Sequence, residues 1–397
     1  MGSRTESLLA VDHLVWTLSS YNKSVLFVGA YPKPAPLERY VSGDLALRLQ
    51  SRAWNILVTS RRMGRVARAL EMLLDIWQWR HRYALACVDV FSGPAFGWAE
   101  AAGAQLRALG KPYVLTLHGG NLPAFSRQHP DRVDNLLSSA AAVTCPSAYL
   151  LAEMGSWRSD LILLPNGLDL TRYHFRQPPP PVGDDVRSRP TLRRSALREP
   201  PPPQRHLIWL RAFHEIYNPV LAVEVLGRIC QSYPEVHLTM IGPDKRDGSL
   251  QQAKAAARRL GVPPAVSFPG TIPKPDVARH LAQAGIFLNT TNYDNTPVSV
   301  LEAMACGLAI VSTRVGGIPY LLEHGKTALL VPPGDVAAMA AAVSRLESDP
   351  ELAAQLGANA RKMAESFDWP NLLPRWQNLL TKVINPVAAL MPGPTWN

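Results

Sequence analysis

The sequence predicts an α/β protein of two Rossmann-like, doubly wound parallel-sheet domains facing a central cleft. Three observations predict it. Short apolar runs of strand length alternate with stretches of helical period along most of the chain. Residues 178–203 hold nine prolines and divide that alternation into two halves. The chain has 397 residues, more than one hydrophobic core usually serves.

In the first half the strand-like runs are 24–28, 55–59, 86–91, 112–117, 141–145 and 161–164. The first ends at Gly29 and the fourth at His118-Gly119-Gly120. In the second half they are 206–210, 236–241, 265–268, 286–289, 309–312 and 328–331. Helical stretches at 220–233, 249–260, 276–284, 298–306 and 336–348 fall between these. Strands that are apolar throughout and separated by helices imply parallel sheets covered on both faces. Such sheets bind ligands beyond the carboxyl ends of their strands. The loops after Gly29, Leu117, Leu210, Ile241 and Asn289 are therefore expected around the cleft. The domains follow as 1–177, a linker at 178–203, and 204–370. A C-terminal helix within 371–397 is expected to pack back towards the first domain. Proline runs in the linker favour extended, semi-rigid chain.

Hydrophobic residues make up 47% and charged residues 18%, which suits a well-buried globular protein. No apolar run approaches the length needed to cross a bilayer. The N-terminus lacks the charged, apolar and small-residue order of a signal peptide. Cys87, Cys145, Cys230 and Cys306 show no paired spacing, so buried free thiols in a reducing compartment are expected. These features point to the cytoplasm, with peripheral contact on the inner face of the membrane left open.

The net charge is +10, and residues 1–177 carry 19 Lys+Arg against 13 Asp+Glu. A basic first domain suits an anionic membrane or an acidic substrate. No recognition module for nucleic acid is present, and none is expected as a partner. The segment 61–79 concentrates the issue. Val66, Leu70, Leu73, Leu74 and Trp77 form one apolar face of a helix. Arg61, Arg62, Arg65 and Arg68 lie near its start, and Arg80, His81 and Arg82 follow it. Two readings stand: a contact with an anionic membrane near a lipid-linked acceptor, or a helix packed on the sheet with solvated arginines.

The most informative stretch is 294–317. Asp294 and Glu302 sit eight residues apart, with a turn and the opening of a helix between them. The free N–H groups and dipole of a helix start suit a phosphate. A carboxylate one or two turns further along suits ribose hydroxyls. A nucleotide-linked substrate is implied. Arg211 lies just past the strand 206–210, where such sheets bind ligands. His118 ends a strand beside two glycines, which let a backbone come close to a ligand. No Asp-x-Asp cluster sits at a strand end, so no cofactor and no obligatory divalent metal is expected.

Taken together in this order, these pieces resemble the retaining glycosyltransferases of the GT4 type, which have the GT-B fold. The segment 294–317 looks like that family's E-x7-E signature followed by its Gly-Gly-Ile-Pro. Leu-His-Gly at 117–119, Pro165-Asn166-Gly167-Leu168-Asp169 and Ile241-Gly242-Pro243 also match. So do Val331-Pro332-Pro333-Gly334-Asp335 and Phe367-Asp368-Trp369. The resemblance implies transfer of a sugar from a nucleoside diphosphate sugar to a hydroxyl of a glycan or glycolipid, as in polysaccharide assembly.

The resemblance also implies roles. Arg211 and the amides of Val298 and Ser299 hold the diphosphate, and Glu302 holds the ribose. Asn295 and Thr296 contact sugar or phosphate. His118 contacts the transferred sugar or its phosphate, and Gly29, Gly119 and Gly120 shape the acceptor side. Asp294 either faces the transferred sugar as a catalytic group or serves as a turn residue, since Asp-Asn-Thr-Pro is good turn chemistry. Two departures stand out. Asp294 replaces the usual Glu, and no Lys follows Arg211 where the family carries one. They keep two rival readings open: a nucleotide-sugar epimerase of the same fold, and a non-catalytic sugar-nucleotide-binding protein.

Overall fold

The computed structural model describes residues 23–33, 35–59, 61–62, 64–175 and 205–386. The proline-rich segment 178–203 and the chain after 386 lie outside the described residues. The described chain packs as two compact units. One takes residues up to Gly167 and those from Phe367 onwards; the other is Leu168–Ser366.

The first unit is built on β1 (Ser24–Val28), β2 (Asn55–Val58), β3 (Leu85–Val90), β4 (Tyr113–Leu117), β5 (Ala142–Cys145) and β6 (Ile162–Leu163). They pair in the order β2-β1-β3-β4-β5-β6, every neighbour parallel. The period of two explains why β1 is apolar from Val25 to Val28. Leu26 and Val28 enter one core cluster with Ala86, Val88 and Leu115, while Val25 and Phe27 enter another with Leu85 and Cys87. The helices here are α1 (Val41–Gln50), α2 (Arg65–Gln78), α3 (Phe96–Ala108), α4 (Leu122–Gln128), α5 (Pro130–Ser138) and α6 (Ala148–Met154).

The second unit carries β7 (His206–Leu210), β8 (His237–Ile241), β9 (Val266–Gly270), β10 (Ile286–Asn289), β11 (Ala309–Thr313) and β12 (Leu329–Val331). Their order is β12-β11-β10-β7-β8-β9, again all parallel. Its helices are α7 (Pro219–Ile229), α8 (Ser249–Arg259), α9 (Lys274–Ala282), α10 (Val298–Cys306), α11 (Ile318–Leu321), α12 (Val336–Ser348) and α13 (Pro350–Ala364). The Asn218 side chain caps α7, accepting from the amide of Leu221 at 3.3 Å.

The last helix, α14 (Trp369–Ile384), belongs to the first unit. Trp369, Leu372, Trp376 and Leu380 join Val25, Phe27, Leu45 and Leu49 in one buried cluster. Trp369 Nε1 donates to Asp44 Oδ2 at 3.0 Å. The chain leaves the first unit at Gly167 rather than at the expected 177. The physical reason is aromatic: Tyr173 is buried against α10 and Phe175 lies against Gly307, both in the second unit.

Strand order locates the ligand positions. In the first sheet the chain steps from β1 outwards to β2, then returns to the other side of β1 for β3. In the second it steps from β7 through β8 to β9, then returns to the other side of β7 for β10. Each reversal opens a crevice at the carboxyl ends of the flanking strands. Gly29 and Asp89 stand at the first, Arg211 and the loop after Asn289 at the second.

All four cysteines are free; three are buried and Cys230 is half-buried. Burial pushes the Cys145 thiol up to about 11 and that of Cys306 up to about 12. No helix among the described residues is long and apolar enough to cross a membrane.

Candidate active site

In the second unit, Arg211 continues straight from β7, its amide donating to the Ile241 carbonyl at 3.0 Å. Its guanidinium lies 4.2 Å from the ring centre of Tyr217 and donates from Nη2 to Asp294 Oδ2. Both side chains are mostly covered, 15% and 11% exposed. The sequence assigns Arg211 and Asp294 to different parts of a donor; the structure joins them as an ion pair at the β7/β10 crevice. Arg211 Nε is buried with no hydrogen-bond partner.

The loop between β10 and α10 is held on several sides. Trp209 Nε1 donates to Thr290 Oγ1 at 2.9 Å, and Thr313 Oγ1 donates to the Thr291 carbonyl at 2.6 Å. Gly316 and Gly317 let a second strand of backbone lie on this loop. A Cβ on Gly316 would collide with the Asp294 carbonyl, and one on Gly317 with that of Asn295. The Gly317 amide donates to the Asp294 carbonyl at 3.1 Å. The Gly-Gly of the motif is thus a backbone clamp that fixes where Asp294 and Asn295 sit.

Helix α10 follows, with Pro297 at its N-cap and no side-chain cap. Ser299 is 6% exposed, and its Oγ has no hydrogen-bond partner. An uncapped helix start with an orphaned buried hydroxyl, beside a guanidinium whose Nε is also orphaned, suits an anionic oxygen-rich ligand. Val298 is half-buried, and Asn295 and Thr296 are buried in the same loop.

Glu302 lies one turn beyond Ser299, on the same face of α10. It is 5% exposed, and Tyr173 Oη donates to its Oε1 at 2.9 Å. Burial raises its pKa; Lys274, then the Tyr173 hydrogen bond and Arg211 oppose the rise. Lys274 opens α9, which packs against α10. Lys274 and Arg211 are thus the two cations whose charge favours ionised Glu302.

A raised carboxyl pKa means the folded state binds the proton more tightly than the unfolded one. The stabilisation it gives is complete at low pH and is lost as pH rises through the raised value. Glu302→Gln keeps an acceptor for Tyr173 and removes the buried charge. It is expected to match the wild type in Tm near pH 4 and to exceed it near pH 8. Thermal scans across that range check it; a variant less stable at pH 8 contradicts it.

In the first unit, His118 follows β4, and its Nε2 lies 3.0 Å from Asp89 Oδ1. The ring stacks on Phe91, centroids 4.9 Å apart at 20°. Asp89 Oδ2 accepts from Ser42 Oγ at 2.7 Å and from Tyr31 Oη at 3.4 Å, and Tyr31 also donates to Ser42 at 3.0 Å. With Nε2 donating to a carboxylate, Nδ1 is the ring nitrogen available to a substrate hydroxyl. His118, Asp89, Ser42, Asn166, Trp369 and Trp376 line a small cavity. Gly29 is part of this design, since a Cβ there would come within 2.5 Å of Asp89 Oδ2 and 2.7 Å of Tyr31 Oη. Gly119 has a left-handed φ of +87°, and the Gly120 carbonyl accepts from Tyr149 Oη at 3.4 Å.

The structure therefore gathers the sequence-predicted residues into two groups. Arg211, Asp294, Asn295, Thr296, Val298, Ser299 and Glu302 surround the loop and helix after β10. His118 and Gly29 share the network on Asp89, with Gly119 and Gly120 directly after His118. Sequence reasoning missed Asp89, Ser42, Tyr31, Tyr173 and Lys274. Asp89 carried a faint signal, as a lone acid near the end of a buried strand. Among the described residues no group of three His, Cys, Asp or Glu is placed to hold a metal ion.

Two six-stranded parallel sheets of this order, with their flanking helices, make the GT-B fold. The chain belongs to the GT4-type glycosyltransferases: residues 22–172 match Glycosyltransferase Family 4, and residues 196–363 match Glycosyl transferases group 1. It is similar to the D-inositol 3-phosphate glycosyltransferase of Pseudarthrobacter chlorophenolicus, 25% identical over 320 residues, 75% of this chain and 71% of that one. It is also similar to the sulfoquinovosyl transferase SQD2 of Arabidopsis thaliana, 30% identical over 151 residues, 37% of this chain but only 28% of that protein. Among solved structures, the sucrose-phosphate synthase of Thermosynechococcus elongatus superposes with a TM-score of 0.73 at 18% identity, covering 91% of this chain and 99% of that one. Anabaena HepE in complex with UDP and glucose superposes at 0.68 and 16% identity, covering 90% and 99%. At these identities the likeness is one of fold.

Proposed function

We propose that this protein is a retaining glycosyltransferase that moves a sugar from a nucleoside diphosphate sugar to a hydroxyl of a glycan or glycolipid, with no obligatory metal. One observation carries the reading. The β7/β10 crevice combines a guanidinium with an orphaned Nε, an uncapped helix start with an orphaned hydroxyl, and a buried carboxylate one turn on. Arg211, Ser299 and the first amides of α10 take the diphosphate, whose charge grows as it leaves. Glu302 accepts from the ribose hydroxyls. Asp294 holds hydroxyls of the transferred sugar once Arg211 turns to phosphate. His118, oriented by Asp89, contacts the sugar or the accepting hydroxyl. HepE, of the same fold, is described with UDP and glucose bound, which supports this donor class.

The missing lysine after Arg211 is met in this reading by Lys274. It arrives from a different element yet acts on the same carboxylate. Lys274→Ala is expected to raise the donor KM about tenfold, near 1.4 kcal/mol, with a smaller change in kcat. An unchanged KM removes Lys274 from the donor site.

The experiment that tests the function is donor hydrolysis across a panel of nucleoside diphosphate sugars, with Glu302→Gln as the control. Slow release of nucleoside diphosphate from one donor, lost in the variant, is the expected result. Silence across the panel, with no thermal shift on adding any donor, overturns it.

A further inference from the structure

Helix α2 has two apolar faces, and among the described residues only one is covered. Ala69 and Ile76 are buried, and Met72 and Leu73 pack half-buried on the first unit's core. Val66, Leu70, Leu74 and Trp77 are 67%, 57%, 63% and 54% exposed. Their spacing of four, four and three residues makes one continuous stripe about 16 Å long on the outside of the helix. Four large apolar side chains in a row exceed the scattered singles normal for a surface.

The charges left around the stripe are mostly positive. The two acids of α2 are already engaged: Glu71 pairs with Arg62 at 3.4 Å, and Asp75 is buried and accepts from Gln78 at 2.6 Å. Arg61 and Arg62 are exposed before the helix, and His81 and Arg82 are exposed after it. The Arg80 guanidinium lies 4.4 Å from the ring centre of Trp77. An apolar stripe ending in a tryptophan and rimmed at both ends by arginine matches a bilayer interface, with acyl chains under the stripe and anionic headgroups at its rim. A second copy of the same face fits poorly, because two-fold pairing would set arginines against arginines.

We propose that the outer face of α2 docks on an anionic lipid bilayer, seating Val66, Leu70, Leu74 and Trp77 at the headgroup boundary. This surface is independent of the donor reading, and its test needs no sugar nucleotide. The protein is floated with phosphatidylcholine vesicles, with or without phosphatidylglycerol, at low salt and at about 0.5 M salt. Flotation with the anionic vesicles only, weakened at high salt, is expected. Leu70→Glu/Leu74→Glu is expected to cut the floated fraction about tenfold or more with Tm unchanged, because both side chains already face water. A separate readout is quenching of fluorescence by brominated lipid, expected to fall in Trp77→Phe. Absence of flotation, or equal flotation with neutral vesicles, overturns the proposal. So does a stable dimer by light scattering that the double variant converts to monomer, which would assign the stripe to a second copy.

Discussion

Arg211→Ala is expected to lower kcat/KM for the donor about 10³-fold, near 4 kcal/mol of transition-state stabilisation. In the proposed reaction the guanidinium meets the charge that develops on a leaving diphosphate, the largest electrostatic demand of such a transfer. Arg211→Lys is expected to recover little, since an ammonium lacks the planar fork and the stacking on Tyr217. The alanine variant also strands Asp294, whose side chain is only 11% exposed. A drop in Tm is therefore expected alongside the kinetic loss. Adding Asp294→Asn separates the two effects, because it removes the stranded charge and recovers Tm but not kcat/KM. Steady-state kinetics and thermal scans on the three variants check this. A fall of less than about tenfold in kcat/KM would reduce Arg211 to an ordinary structural ion-pair residue.

Asp89→Asn is expected to lower kcat about 10²-fold while leaving the donor KM within about twofold. The substitution keeps the shape of the side chain but removes the charge that holds His118 Nε2 at 3.0 Å. Two further hydrogen bonds, from Ser42 and Tyr31, hold the Asp89 carboxylate itself in place. Ser42→Ala is thus expected to act more weakly, at about 1 kcal/mol. A double-mutant cycle gives the sharper readout. If Asp89 acts through His118, then Asp89→Asn in a His118→Ala background costs almost nothing further in kcat. Fully additive losses would mean that Asp89 only stabilises the first unit, and would sink its assignment as a positioning residue.

The fold was legible because its information is local. Each strand is an apolar run, and β1 is apolar from Val25 to Val28 because its alternate residues feed two separate core clusters. Part of the candidate site was legible for a similar reason. Ser299 and Glu302 lie within one helical turn, and Arg211 directly follows a strand. The Asp89 network was not legible. It joins a loop residue, a helix residue, a strand end and a residue past the next strand, with bonded partners up to 58 positions apart. In the sequence each of these, His118 apart, is an ordinary polar residue. Lys274 and Tyr173 were hidden for the same reason, since each reaches Glu302 from an element with no motif of its own.

By itself the sequence determined the fold class, the family, and the pieces of local chemistry around 294–302, because periodicity and short spacings are properties of neighbouring residues. Only the tertiary structure decided that Arg211 pairs with Asp294, that Asp89 lies against His118 Nε2, and that the chain leaves the first unit at Gly167. It also decided the state of α2. Helical period shows which apolar residues share a face, but whether a face is covered depends on what the rest of the chain packs against it. In α2 the core takes Ala69 and Ile76 and leaves Val66, Leu70, Leu74 and Trp77 in water.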